Sequence, residues 1–366
     1  MSPEKPHPSE PRVVKGDQNF ALDRETFRKR WLEQAYDPSY ESVSSELERV
    51  IDVAWNVYQK YKKSPRTQPA GPEFADPNFR LPVEWLDARR QVIEAQRRHD
   101  DAAAPSRILV VHGSARTDQT CPGEISKTYR LSKIAREAIA KAPGFEVDFL
   151  DMSRLTAEAH LAIYPCKACV STAQPLCHWP CSCYPNHALG QVNDWMNEIY
   201  PKWVLAHGVM VLCPVNWYQA PSELKLMIDR LVCADGGNPD PTTTRGKDPA
   251  RAKAIELAGW PYPKHLAGRA FSVVVHSDAT GAENLRRMLV DWMTDLEMIP
   301  AGPVAGVDRY VGYYEPYALS HESLDRDHAF QEETRNAARA LVKAVKLLKL
   351  GKLPDPGAGL SEPRPK

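Results

Sequence analysis

From residue 107 onward, short apolar runs alternate with longer amphipathic stretches, and that alternation restricts the fold more than any other feature of the chain. Arg107-Ile-Leu-Val-Val-His112 is such a run, and it ends at Gly113-Ser114. An apolar run of this length, bounded by turn residues, reads as a strand buried on both faces. Amphipathic patterning over 126–140 predicts a helix, closed by Pro143-Gly144. The pattern recurs as strand 146–151, helix 191–205, strand 208–213, helix 222–232, strand 270–276, helix 282–298, a short strand 302–307 and a last helix 327–350. Repeated β-α units predict an α/β fold with a doubly wound parallel sheet. Five strands suggest the flavodoxin-like order 2-1-3-4-5, whose ligands lie beyond the carboxyl ends of the strands. The loops after strands one, three and four are therefore the places to look for a site.

The first hundred residues follow a different pattern. A Pro-rich, polar segment over about 1–20 reads as a disordered tail. Helical periodicity follows over 24–36, 41–62 and 83–98; Val43, Leu47, Val50, Ile51, Ala54 and Val57 recur at three- and four-residue steps. The expected organisation is a tail and helical extension over 1–104, one α/β domain over 105–350, and a second disordered tail over 351–366. Within the domain, a Cys-rich insert occupies 160–188. A Gly/Pro/Thr-rich insert over 234–266 carries no pattern and reads as a loop that either borders the substrate pocket or is a solvated excursion.

Charge and composition exclude several classes. The 47 basic and 47 acidic side chains cancel, so the chain lacks the basic excess of a nucleic-acid binder. No apolar run approaches the roughly 18 residues of a membrane span. Met1-Ser-Pro-Glu-Lys-Pro-His7 has no apolar stretch of a secretory signal, so a cytoplasmic location is expected. The eight cysteines of such a chain are expected to be free, metal-binding or redox-active, not a disulfide framework.

Two loops carry the residue types of a nucleotide site. His112-Gly-Ser-Ala-Arg116 leaves the first strand, and Ser126-Lys-Thr128 opens the first helix. A helix N-terminus presents free N–H groups to an anion. Ser114, Ser126 and Thr128 add hydroxyls, and Arg116 a guanidinium that pairs with phosphate oxygens. Neither Gly-x-x-x-x-Gly-Lys-Ser/Thr nor Gly-x-Gly-x-x-Gly is present, which excludes the usual triphosphate and dinucleotide loops. After strand three comes Cys213-Pro-Val-Asn-Trp-Tyr-Gln-Ala-Pro221. Pro214 and Pro221 stiffen this loop, backbone groups from Val215 through Asn216 to Tyr218 face a planar edge, and Trp217 and Tyr218 offer stacking surfaces. Lys225, Asp229 and Arg230 on the next helix read either as a surface ion pair or, for Arg230 with Tyr218, as groups that favour a reduced ring.

Gly-Ser-x-Arg after strand one, Ser-x-Thr at the helix start, and Pro-Val-x-Trp-Tyr…Leu-Lys…Ile-Asp-Arg after strand three together resemble the NADPH-dependent FMN reductase family, which includes iron–sulfur flavoproteins. The resemblance covers about residues 106–310. It implies an FMN-dependent oxidoreductase that takes electrons from NAD(P)H and passes two of them to a quinone, a flavin or another small acceptor. It implies that Ser114, Arg116, Ser126 and Thr128 hold the FMN phosphate and that Pro214, Val215, Asn216, Trp217 and Tyr218 line the isoalloxazine. Ser277, Asp278 and Gly281, after strand four, would contact the other edge. No acid or base side chain is required, so no catalytic residue is assigned. Relatives of this kind form homo-oligomers, dimers or tetramers. The longer first loop, over 117–125, departs from the family pattern.

The Cys-rich insert is the most distinctive local feature: Cys166-x-x-Cys169, then Cys177, Cys181 and Cys183. Thiolates at such density hold a [4Fe–4S] cluster or zinc, form a redox-active pair, or stay reduced in a packed loop. The resembled iron–sulfur flavoproteins carry a compact four-cysteine motif at this point, but the gap of seven residues between Cys169 and Cys177 departs from its spacing. Cys121, Cys213 and Cys233 read as packing beside the flavin site or in the core. The alternatives to a reductase are an iron–sulfur flavoprotein electron carrier and a non-enzymatic flavodoxin-like protein.

Overall fold

The computed structural model describes residues 22–35, 37–61, 67–120, 125–158, 161–181 and 194–353. Its centre is a parallel sheet of β1 (Ser106–His112), β2 (Phe145–Asp151), β3 (Gly208–Pro214), β4 (Ala270–Ser277) and β5 (Gly306–Tyr310). Pairing runs β2-β1-β3-β4-β5, so the order is 2-1-3-4-5, that of a flavodoxin-like doubly wound sheet. Every residue of β4 is buried, as helices on both faces require. The edge strand β2 is mostly half-buried, and its sequence is correspondingly mixed.

Helices α1 (Lys127–Ala140) and α5 (His328–Lys349) cover one face, where Ile108, Met210, Leu131, Leu341 and Val345 form one buried cluster. On the other, α2 (Met196–Leu205), α3 (Ser222–Arg230) and α4 (Ala282–Asp295) surround Val111, Val211, Trp203, Leu224 and Leu289. The β1–α1, β3–α3 and β4–α4 loops all leave the same edge of the sheet, and this brings them together.

Several boundaries differ from the expected ones. The fifth strand is two pieces: Ile299–Pro300 pairs with the start of β4, and β5 resumes at Gly306 after a 3-10 turn over Pro303–Ala305. Pro303 has no N–H for the ladder, which accounts for the break. The helix before β3 begins at Met196, and residues 191–193 lie outside the described set. The insert over 234–266 holds a helix, Pro249–Leu257, where a loop was expected. The Asp248 side chain accepts from the Ala250 and Arg251 amides and Pro249 opens the helix, a start signal that the surrounding Gly/Pro/Thr residues conceal.

The N-terminal extension contains helices Arg24–Ala35, Ser44–Tyr61 and Val83–Asp100, and a two-stranded hairpin of Thr67–Pro69 with Arg80–Pro82. The hairpin and the third helix join the two inserts. Trp85 Nε1 donates to Pro180 O at 2.8 Å, Arg89 Nε to Pro239 O at 3.0 Å, and the Ala75 amide to the Asp240 carboxylate at 2.8 Å. The inserts bind each other as well: Trp179 N to Asn238 O at 3.1 Å, Asn238 N to Cys177 O at 2.6 Å, and His178 Nε2 with Thr244 Oγ1 at 3.0 Å. The insert over 234–266 therefore packs on the Cys-rich segment and the extension; none of its residues lines the cleft at the strand ends.

Candidate functional site

A cleft of about 330 Å³ opens at the carboxyl ends of β1, β3 and β4. That is at the lower end of small-molecule sites, roughly 300–1,000 Å³. Ser114, Arg116, Ser126, Thr128, Pro214, Val215, Asn216, Ser277 and Asp278 line it. Three other expected residues, Trp217, Tyr218 and Gly281, do not. Sequence reading missed Lys127, His276 and Ser320, which also line the cleft.

The first loop is built to present donors. Gly113 N bonds Leu212 O at 2.8 Å, drawing the chain against β3. A Cβ at this glycine would lie 2.7 Å from Leu224 Cδ2 and 3.0 Å from Cys213 Cβ, so a side chain does not fit. Buried His112 bonds the Arg116 carbonyl through Nε2 at 2.8 Å. The Ser114 oxygen accepts from the Arg116 amide at 3.2 Å, and the Ser126 oxygen accepts from the Tyr129 amide at 3.1 Å as the cap of α1. Each hydroxyl proton is left to donate. The longer first loop is tied back by Asp118, whose carboxylate accepts the Ser126 amide at 2.9 Å. Residues 121–124, including Cys121, lie outside the described set.

His276, near the end of β4, bonds Thr128 Oγ1 through Nε2 at 2.7 Å, while its Nδ1 is buried with no partner. Burial, with the Lys127 ammonium nearby, pushes its pKa down to about 3, so the ring is neutral. Lys127 forms an ion pair with Asp278 and donates to Val311 O at 3.0 Å. Asp278 thus offsets the Lys127 charge, and Arg116 brings a second cation to the cleft lining. A helix N-terminus, two hydroxyl donors, a guanidinium and a neutral imidazole beside them fit a phosphate ester. The signal for Lys127 was inside the Ser-x-Thr pattern; His276 carried none beyond its position at a strand end.

The β3 loop is a tight turn. Asn216 N bonds Gln219 O at 2.9 Å and Gln219 N bonds Asn216 O at 3.0 Å, with φ of 46° at Trp217 and 68° at Tyr218. Two central residues at positive φ make a turn that ordinarily takes Asn or Gly, and aromatic residues there carry strain. The Trp217 side chain is 94% exposed and Tyr218 56%. Gly281 backs this turn: a Cβ on it would lie 3.2 Å from Tyr218 Cα. Lys225 and Asp229 form an exposed pair, as expected for a helix surface. Arg230 does not. It is buried, bonds Asp194 at 2.7 Å and Tyr164 O at 2.8 Å, and does not line the cleft, so it has no place beside the ring.

A second cavity lies where the inserts meet. Cys166, Cys169, Cys177, Cys181 and Cys233 line it, together with His178, Arg230 and Lys247. Lys247 Nζ sits 3.7 Å from Cys169 Sγ and donates to Leu176 O at 2.9 Å. Burial and the neighbouring thiols raise the Cys177 pKa, and they push Cys233 up to about 12. Among the described residues, no three His, Cys, Asp or Glu side chains gather closely enough to hold one ion. Cys183 lies outside the described set. Cys213 is buried in the core, apart from this cavity. His178 is buried and occupied with Thr244. Among the described residues no helix is long and apolar enough to cross a membrane.

An iron–sulfur flavoprotein of Methanosarcina thermophila is 31% identical over 127 residues, which are 34% of this chain and 52% of the relative. The chain thus spans about half the length of that curated relative. Among solved structures, RosB with bound 8-demethyl-8-formylriboflavin-5'-phosphate is similar at TM-score 0.46 and 13% identity, over 68% of this chain and 82% of that one. An NADH:FMN oxidoreductase in its apo form gives TM-score 0.35 and 11% identity, over 69% and 92%. The profile of NADPH-dependent FMN reductase matches residues 106–311, more than half of the sequence, and the chain belongs to that family.

Proposed function

We propose that the chain is an FMN-dependent NAD(P)H oxidoreductase that passes two electrons to a small acceptor such as a quinone or a flavin. The observation that carries this reading is the cleft at the strand ends, where Ser114, Ser126, Arg116 and the N-terminus of α1 converge within the family match. FMN supplies the electron chemistry when bound. The chain's residues bind and orient. Arg116 and the hydroxyls of Ser114, Ser126 and Thr128 hold the phosphate, neutral His276 keeps the Thr128 side chain in place, and Pro214, Val215 and Asn216 lie along the ring. Ser277 and Asp278 face its other edge. Trp217 and Tyr218 stand at the rim, exposed as stacking surfaces for the ring or for an incoming nicotinamide.

An absorption spectrum of the purified protein tests this reading, followed by anaerobic addition of NADH or NADPH. Flavin bands that bleach with either nucleotide are expected. A colourless protein that takes up no added FMN would sink the proposal and leave a flavodoxin-like protein without redox function.

A second reading is an iron–sulfur flavoprotein. Its specific support is the cavity lined by five thiols, together with the name of the curated relative. The donor set is chemically right, because soft thiolates hold iron–sulfur clusters and zinc. Tetrahedral thiolates on one zinc lie about 3.8 Å from one another, whereas these side chains ring a cavity without meeting at a point. The cavity is narrow, about 10 Å³, room for roughly one water. A cluster would sit there by outward movement of Cys166, Cys169 and Cys181, which are partly exposed, against Cys177 and Cys233, which are buried. Iron and acid-labile sulfide in the purified protein are the expected findings.

A further inference from the structure

We infer that Cys233 is a ligand of the thiol-bound centre, which makes the site an assembly of separate chain segments instead of a compact motif. The inference rests on the iron–sulfur reading above and adds to it a residue fifty-two positions beyond Cys181 in sequence.

Cys233 sits on the 3-10 turn Leu231–Ala234 that closes α3. Its side chain is 1% exposed and lines the same cavity as the four cysteines of the insert. Burial alone does not bring it there: Cys213 on β3 is as deeply buried, in the same core cluster as Cys177 and Cys233, and does not line the cavity. The backbone fixes Cys233 and Cys177 to one another. Gly237 N bonds Cys233 O at 2.9 Å, the next residue's amide, Asn238 N, bonds Cys177 O at 2.6 Å, and Trp179 N bonds Asn238 O at 3.1 Å. A Cβ on Gly237 would lie 2.5 Å from Cys233 O, so this close approach requires a glycine. One short segment of the second insert therefore ties the two buried cysteines of the cavity together.

Charge and spacing agree with this assignment. A set of thiolates needs a cation beside it, and Lys247 lines the cavity with its ammonium 3.7 Å from Cys169 Sγ. The seven-residue gap between Cys169 and Cys177 breaks the compact spacing, and the fold supplies a thiol from elsewhere. The connection also joins the two sites. Helix α3 has nine residues, about 13 Å of rise, and runs from the turn at the flavin cleft to Cys233.

The bland alternative is a core cysteine whose thiol donates to Arg230 O at 3.5 Å and touches the cavity by accident. The full chain, reconstituted anaerobically with ferrous iron and sulfide, separates the two. Iron, acid-labile sulfide and the EPR spectrum of the dithionite-reduced protein are measured for the wild type, Cys233→Ala, Cys233→Ser and Cys213→Ala. Expected are loss of at least half of the iron and a changed EPR signal in both Cys233 variants, with Cys213→Ala unaffected. Circular dichroism and FMN uptake establish that the variants fold. Cys233 variants with full iron and sulfide and an unchanged signal overturn the ligand role and leave the iron–sulfur reading standing. A wild type that takes up neither iron nor zinc overturns both. Zinc bound without sulfide and lost in the Cys233 variants supports the ligand role and replaces the cluster with a single ion.

Discussion

The two cavities of this molecule are built in opposite ways. The cleft at the strand ends is open, lined by hydroxyls and charges, and made mainly of the loops that follow three strands of one sheet. The thiol cavity is narrow, and the end of α3 meets residues of both inserts there, segments that lie outside that repeating scheme. In the first, topology does the assembling: any chain with strand order 2-1-3-4-5 brings those loops to one edge. In the second, assembly depends on particular bonds between distant segments. Asn238 to Cys177, Trp85 to Pro180 and Arg230 to Tyr164 are examples. The cleft should therefore tolerate local changes with graded loss of ligand, whereas the thiol cavity should fail together with the packing around it.

The largest effect is expected at Asp194. Its ion pair with Arg230 is almost fully buried, and burial pushes its carboxyl pKa up against the pull of the guanidinium. Removing one partner leaves a buried charge uncompensated, so Asp194→Ala should lower stability by about 3–5 kcal/mol. The exposed pair on the same helix provides the contrast: Lys225→Ala should cost about 0–1 kcal/mol. Urea titration of both variants measures this, and equal losses would erase the distinction between a sheet that tolerates change and a packed thiol layer that does not.

At the cleft, Arg116→Ala should remove charge-assisted bonds worth about 1.5–3 kcal/mol. FMN affinity should fall roughly 10- to 150-fold, while iron uptake by the thiol site stays as in the wild type. Fluorescence titration with FMN reads the first and metal analysis the second. Unchanged FMN affinity would remove Arg116 from the phosphate site.

The smallest effect concerns the strained turn. Glycine accepts the positive φ that Trp217 adopts. Trp217→Gly should leave stability within about 1 kcal/mol of the wild type, and weaken FMN or nicotinamide binding by about 0.5–1.5 kcal/mol through loss of stacking. Unchanged binding of both would assign the exposed indole to something other than these rings.

Local chemistry marked the cleft well in advance. Ser114, Arg116, Ser126 and Thr128 sit beside recognisable strand and helix ends, and the structure brings all four into one lining. His276 was invisible because a histidine at the end of an apolar run looks like any buried residue until its neighbour Thr128 is known. Arg230 was misjudged for a related reason: helical spacing pairs Lys225 with Asp229 but says nothing of Asp194, thirty-six residues earlier. The helix Pro249–Leu257 was hidden by the Gly, Pro and Thr residues before it.

By itself the amino-acid sequence determined the parallel α/β architecture, the family and the loops that form the cleft. Each of these depends on hydrophobic period and on residues close together in the chain, where a pattern of a few positions already dictates burial and backbone direction. Only the tertiary structure decided that the helical extension and both inserts pack against one another, that the long insert stays away from the cleft, and that Cys233 joins the cysteines of the 166–181 segment. Those outcomes rest on contacts between segments tens to more than a hundred residues apart, made through single hydrogen bonds and buried side chains that no local period encodes.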